Sequence, residues 1–365
     1  MELKEAGVTA DLSHRELVQL NHDYEEAARI ARLRYVSDSS PGITRVRKGT
    51  GFAYYRASQK ISDKAELQRI RSLVIPPAWT NVWICPYENG HIQATGYDVK
   101  KRKQYKYHAL WSAVRNETKF HRLFEFGKAL PQLRAVVEKD LTRKDLSQER
   151  VLATIVSLME RTYIRVGSED YEKLYGSYGI TTLKNNHVKV QGDTIAFSFI
   201  GKKGIAQSVS IKSKRLARIV QQCREIPGKE LFQYYDAQGN RNPIDSGKVN
   251  DYIRNGTKGD FSAKDIRTWA GSLSLLRSLR ALGEAVTVTE CRRNIVAALD
   301  EVSEKLGNTR AVCRKYYVHP GLITLYEQNN LSRYLEELDD VEQPDLATGL
   351  TSDEKVLMRI LKRLN

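Results

Sequence analysis

The hydrophobic pattern of this chain turns from mainly alternating to mainly helical near residue 108, and that change limits the fold more than any other feature. Before it, Ile43–Arg47 and Phe52–Arg56 alternate as strands on either side of Gly49 and Gly51. Val82 and Ile84 alternate with Trp83 and Cys85, and Asn89-Gly90 is a hairpin signal before His91–Thr95. Lys103-Gln104-Tyr105-Lys106-Tyr107-His108 reads as one more strand, while Asp63–Leu73 reads as a short helix stopped by Pro76-Pro77. From Trp111 the spacing is helical, over Val151–Arg165, 171–178, Lys214–Cys223, Lys264–Leu282 and Thr289–Leu306, the last closed by Gly307. An island of strands interrupts it: His187–Val190, then Ile195, Phe197 and Phe199, then Val209 with Ile211 after the turn Gly201-Lys202-Lys203-Gly204.

The expectation is an α+β chain of two domains. A small antiparallel-β-rich domain occupies 1–115, with a helical extension in 1–40 read from the spacing over 11–34. A mostly α domain with a small three-stranded sheet occupies 116–330. Residues 331–365 read as an acidic linker, Glu336–Asp345, and a helix that starts at the capping box Thr351-Ser352-Asp353-Glu354 and runs to Leu364.

Charge points to the partner. The net charge is +15, and because 331–365 carries a local −3, the rest of the chain holds +18. A basic body of this kind favours a polyanion, DNA or RNA first, over a membrane surface, for which no long basic amphipathic helix stands out. The four cysteines (Cys85, Cys223, Cys291, Cys313) form no C-x-x-C pair, so neither a zinc site nor a disulfide framework is expected. Met1-Glu2-Leu3-Lys4-Glu5 lacks the apolar core of a signal peptide, and no stretch is long and apolar enough to span a bilayer. A cytoplasmic, nucleoid-associated location is the expectation.

No phosphate-loop motif occurs, since Gly247-Lys248 lacks the upstream glycine and is followed by Val249; no H-E-x-x-H occurs either. The expected chemistry therefore uses no nucleotide cofactor and no metal. What remains is basic and phenolic: Arg165 in Tyr-Ile-Arg-Val-Gly, Lys202 between glycines, Arg267 in Lys-Asp-Ile-Arg-Thr-Trp, and Asn308 with the doublet Tyr316-Tyr317. A phenol attacking a phosphodiester needs fixed donors, cations and a route for its proton. Singly each residue has an ordinary explanation as a surface, turn or core side chain; jointly they do not.

In that order and spacing these residues resemble the catalytic set of the type IB DNA topoisomerases, specifically the small bacterial and poxviral branch. The set is Arg, Lys, Arg, His or Asn, and Tyr, and it carries over as Arg165, Lys202, Arg267, Asn308 and Tyr317. The resemblance covers almost the whole chain and implies a C-terminal domain like that of the tyrosine recombinases. Asn308 stands where many members have His, so it can donate a hydrogen bond but cannot titrate near neutrality. Arg310 follows Asn-Thr where Pro is usual. Tyr316 lies one residue off the family spacing, which favours Tyr317.

The resemblance also implies a mechanism and a mode of binding. Tyr317 forms a 3′-phosphotyrosyl bond in one strand of double-stranded DNA. Arg165 and Arg267 hold the non-bridging oxygens, and Lys202 protonates the departing 5′-oxygen. The strands rotate and reseal, relaxing positive and negative supercoils without ATP. The strand around residue 105 resembles the family's DNA-contacting strand, with Arg102 and Lys103 suited to phosphates and Gln104, Tyr105 and Tyr107 to bases or backbone. The implied protein is a monomer whose two lobes clamp the duplex. The rival within the same chemistry is a tyrosine site-specific recombinase, but those typically carry His-x-x-Arg where this chain has Lys264-Asp265-Ile266-Arg267. A non-catalytic duplex-DNA-binding protein is the rival from another class.

Overall fold

In the computed structural model the described residues are 23–99, 101–236, 238–339 and 348–364, with Glu16 and Leu20. Their contacts divide into two compact units, 1–122 and 123–365. The reading of a helix over 11–34 lies mostly outside the described residues. Its described part is helix α1 (Tyr24–Ile30), capped by the Asp23 carboxylate. The helix stops short of residue 34 because Arg32 turns left-handed (φ 56°) and Arg34 bridges to Gly90.

The first unit continues with β1 (Ile43–Lys48), β2 (Gly51–Arg56), β3 (Gln59–Lys60), α2 (Lys64–Ser72), β4 (Thr80–Ile84), β5 (Ile92–Tyr97) and β6 (Lys103–Tyr107). The strands form one antiparallel six-stranded sheet in the order β3-β2-β1-β4-β5-β6, so β6 is an edge. Alternation places Ile43, Val82, Ile84 and Ala94 in a small core closed by Ile70 of α2. A long helix, α3 (Ala109–Leu141), begins in this unit and ends in the second.

The second unit is mainly helical. It contains α4 (Gln148–Thr162), α5 (Glu169–Tyr175), the three-stranded sheet β7 (Val188–Gln191), β8 (Thr194–Ile200) and β9 (Ala206–Lys212), and α6 (Lys214–Glu225). A two-stranded ribbon follows, β10 (Gln233–Tyr235) and β11 (Arg241–Pro243), then α7 (Ser246–Thr257), α8 (Ala263–Leu282) and α9 (Val288–Leu306). Helices α10 (Arg310–Tyr316), α11 (Pro320–Glu327), α12 (Ser332–Leu335) and α13 (Ser352–Leu364) complete it. Helices α4 and α8 are buried along most of their length and form the centre of one large core. The ribbon, α7 and the short helices after residue 309 are elements that the sequence reading does not include. No helix among the described residues is long and apolar enough to cross a membrane.

The capping box at Thr351 forms as read: the Glu354 amide donates to Thr351 Oγ1 at 3.3 Å and the Thr351 amide to Glu354 Oε2 at 2.9 Å. The same carboxylate is buried and accepts two bonds of 2.8 Å from Arg134 and one of 3.0 Å from Trp269 Nε1. Arg134 also holds Glu160 at 3.0 Å, while Arg277 binds Asp353 at 2.6 Å. These contacts bolt α13 to α3 and α8. Removing one partner of such a buried pair leaves an uncompensated charge, so Glu354→Ala is expected to cost about 3–5 kcal/mol. The check is the midpoint of urea unfolding; an unchanged midpoint contradicts it.

Candidate active site

Helix α4 ends because Tyr163 adopts a left-handed conformation (φ 56°, ψ 17°), its amide donating back to Met159. The reading of one helix through Arg165 is therefore corrected by three residues. The consequence is chemical: the Tyr163 carbonyl is released from the helix and accepts from Arg267 Nη1. The next residues run beside 180–181, with the Ile180 amide donating to Arg165 O at 2.7 Å and the Thr181 amide to Val166 O at 2.8 Å. Gly179 permits this approach, since a Cβ there would stand 2.5 Å from the Gly167 nitrogen and 2.6 Å from the Arg165 carbonyl.

The Arg165 side chain reaches the end of α9. Its Nη2 donates to Gly307 O at 2.7 Å and to Asn308 Oδ1 at 2.6 Å. Gly307 is the left-handed C-cap (φ 57°) that closes α9, and the turn it makes delivers Asn308. Arg267, on the first turns of α8, is only 3% exposed and donates from Nη2 to Leu306 O at 2.7 Å. Three backbone carbonyls and one side-chain amide oxygen thus fix two guanidinium groups without a neutralising carboxylate among these partners.

Helix α10 is capped by Thr309 and places Tyr317 at its C-terminal end. The Arg267 guanidinium carbon lies 5.2 Å from the Tyr317 ring centroid. The Tyr317 backbone presses on α8 at Gly271, where a Cβ would stand 2.5 Å from the Tyr317 carbonyl oxygen. Tyr317 is half-buried against the main core, whereas Tyr316 is 38% exposed with the Lys315 ammonium 5.4 Å from its ring centroid.

Burial sets the electrostatics. Desolvation lowers the pKa of Arg165. It pushes Arg267 down to about 10, with repulsion from Arg165 acting in the same direction. An anion entering here would raise both back toward the ordinary arginine value. Cys313, one turn before Tyr317, is fully buried and pushed up to about 11, which keeps it a thiol. Among the described residues, Arg267 Nε and Asn308 Nδ2 are buried donors without a protein partner. Buried orphan donors are uncommon, and two on neighbouring residues of one site fit an oxygen-rich anionic ligand.

Arg165, Arg267, Asn308 and Tyr317 are therefore drawn into one cluster. Lys202 is placed separately, on the exposed turn between β8 and β9, with its ammonium 5.8 Å from the centroid of Tyr171. Arg310, which had no assigned task, pairs with Asp300 at 2.6 Å. Sequence reasoning missed Gly271, Gly179, Tyr171 and the Tyr163 carbonyl. A helix-interior glycine such as Gly271 was the one available signal.

In the first unit, Arg102 pairs with Asp98 at 2.6 Å and Lys103 with Asp38 at 2.7 Å, while Gln104 donates to Asp98 at 3.1 Å. Tyr105 and Tyr107 project from the exposed face of β6, 43% and 46% exposed, with nearly parallel rings (7°) and centroids 5.8 Å apart. No group of three or more His, Cys, Asp or Glu suited to a metal occurs among the described residues.

Comparison with known proteins agrees with this geometry. Residues 101–342 match the family described as eukaryotic DNA topoisomerase I, catalytic core, and residues 51–98 match bacterial DNA topoisomerase IB, N-terminal domain. The chain is 32% identical over 308 residues to DNA topoisomerase 1B of Acanthamoeba polyphaga mimivirus, covering 82% of this chain and 91% of that protein. It is 21% identical over 237 residues to DNA topoisomerase I of Monkeypox virus, covering 64% of this chain and 72% of that protein. Vaccinia virus (strain Copenhagen) DNA topoisomerase 1B matches to the same extent, 21% over 237 residues. With a catalytic-core match over most of its length and this cluster at its centre, the chain belongs to the type IB DNA topoisomerase family.

Proposed function

We propose that this protein relaxes supercoiled double-stranded DNA by transient cleavage of one strand through Tyr317. The observation that carries the reading is the half-buried phenol beside two desolvated guanidinium groups and two orphan donors. The Tyr317 oxygen attacks a backbone phosphorus, the bond to the 5′-oxygen breaks, and a 3′-phosphotyrosyl ester forms. Arg165 and Arg267 offer planar donor forks to the non-bridging oxygens, and Asn308 Nδ2 adds a neutral donor. The phenolic proton leaves to solvent, and Lys202 supplies the proton that the 5′-oxygen takes up. Religation runs the same steps backwards. One phosphoester replaces another, so torsion in the DNA sets the direction and no ATP enters the balance.

The Tyr105–Tyr107 face of β6 is the proposed DNA contact of the first unit. Phosphate binding at Arg102 or Lys103 there means exchanging their Asp98 and Asp38 partners. Monomeric action follows from one chain supplying every proposed group.

The test is a denaturing gel of protein with suicide-nicked duplex, beside relaxation of plasmids of both supercoil signs in EDTA without ATP. A covalent band and relaxation of both signs are expected; no adduct under any condition overturns the proposal. Synapsis and exchange between two sites would instead indicate a recombinase. Lys202→Ala is expected to slow cleavage by roughly 10²–10⁴-fold. A substrate with a 5′-bridging sulfur, whose thiolate leaves without protonation, should largely restore it; no restoration rejects the acid role.

A further inference from the structure

A proton donor works only when held within about 3 Å of the departing oxygen. Lys202 stands on an exposed turn, while the groups proposed to hold the phosphate are fixed on α8, on the segment after α4 and at the end of α9. One side chain bridges the two places. A Cβ on Gly201, the residue before Lys202, would stand 2.9 Å from Gln207 Cγ. A Cβ on Gly307, the residue before Asn308, would stand 2.7 Å from Gln207 Oε1 and 2.8 Å from Nε2. Gln207 therefore fills the space between the root of the Lys202 turn and the turn that presents Asn308 and accepts from Arg165.

The base of this bridge is firm. Gln207 lies on β9 in register with Phe199 of β8, whose ring belongs to the main core. The turn is closed by the Gly201 amide donating to Ile205 O at 2.8 Å and tied to the preceding segment by the Tyr178 amide donating to Ile200 O at 2.8 Å. The outer end is less committed, for among the described residues Gln207 Nε2 bonds only to its neighbour's carbonyl, Ala206 O, at 3.2 Å. A Cβ on Gly201 would press on the Gln207 methylene and one on Gly307 on its amide. The Gln207 side chain, methylene on one side and amide on the other, thus stands as a spacer between the Lys202 turn and the Asn308 turn.

We propose that Gln207 is a positioning residue for the general-acid step, setting the place of Lys202 relative to the Arg165–Asn308 cluster. The inference rests on Lys202 being the proton donor. Loss of the spacer lets the turn shift, and an ångström of misplacement is worth up to about 10²-fold in rate.

The experiment is single-turnover cleavage of a duplex with either oxygen or sulfur at the 5′-bridging position, with Lys202→Ala as reference. Gln207→Ala is expected to lower cleavage of the oxygen substrate roughly 10- to 100-fold, yet change the sulfur substrate by less than about 3-fold. Gln207→Met, which keeps the length of the side chain, should recover most of the loss. Equal loss on both substrates means a general structural role and overturns the proposal, as does an unchanged rate on oxygen. If sulfur fails to rescue Lys202→Ala itself, the premise falls. Cleavage of the sulfur substrate also reports folding of each variant.

Discussion

Tyr317→Phe abolishes the covalent protein–DNA adduct and brings relaxation below about 10⁻⁴ of the parent, the scale of loss when a nucleophile is removed. The substitution deletes one oxygen and little else. The phenyl ring still packs on the core, the Arg267 guanidinium keeps its face 5.2 Å away, and the backbone contact at Gly271 is untouched. Duplex binding should therefore persist and keep its dependence on salt, because the charge responsible (+15 overall) is spread along the chain. Adduct and binding are read separately, on a denaturing gel and by a mobility shift at several salt concentrations. An adduct that survives in Tyr317→Phe and vanishes in Tyr316→Phe would move the nucleophile to the exposed member of the doublet.

Arg267→Lys, although it keeps the charge, should lower single-turnover cleavage by roughly 10²–10³-fold, the usual cost of losing a fixed donor to a developing anion. The arginine uses Nη1 on the Tyr163 carbonyl and Nη2 on the Leu306 carbonyl, with Nε left over for a ligand. An ammonium is a single point on a flexible stem and cannot hold both carbonyls while serving a phosphate. It also tolerates desolvation poorly: burial already lowers the guanidinium to about 10, and a lysine starts some two units lower still. The variant is thus expected to be partly uncharged near neutral pH, so cleavage should improve as the pH is lowered from 8 to about 6. That slope is the useful readout. A rate within about fivefold of the parent and flat with pH would show that charge, not donor geometry, is what the site requires.

Local pattern carried a good deal of this. Alternation located β1, β2 and the edge strand β6, and helical spacing located α8 and α9 almost to their ends. The glycines around Lys202 marked its turn, and the capping box at Thr351 formed with both bonds. The order Arg165, Lys202, Arg267, Asn308, Tyr317 was legible as a motif because each member sits in a short distinctive string.

What the chain's order by itself determined is periodicity, punctuation and the kinds of reactive group available, since all three depend on neighbours a few residues away. Only the tertiary structure decided which groups lose water and which partners they gain. Arg267 read alone has an ordinary explanation as a surface side chain, yet it is buried and held by carbonyls from Tyr163 and Leu306, far away in the chain. Arg102 and Lys103 read as suited to phosphates, yet each meets a carboxylate. Gln207 carried no local mark of importance, and Gly271 only that of a glycine inside a helix, because their significance is the space a side chain fills and the absence of a methyl at contacts between distant segments. Desolvation and close packing are properties of the assembled interior, and no local spacing rule encodes them.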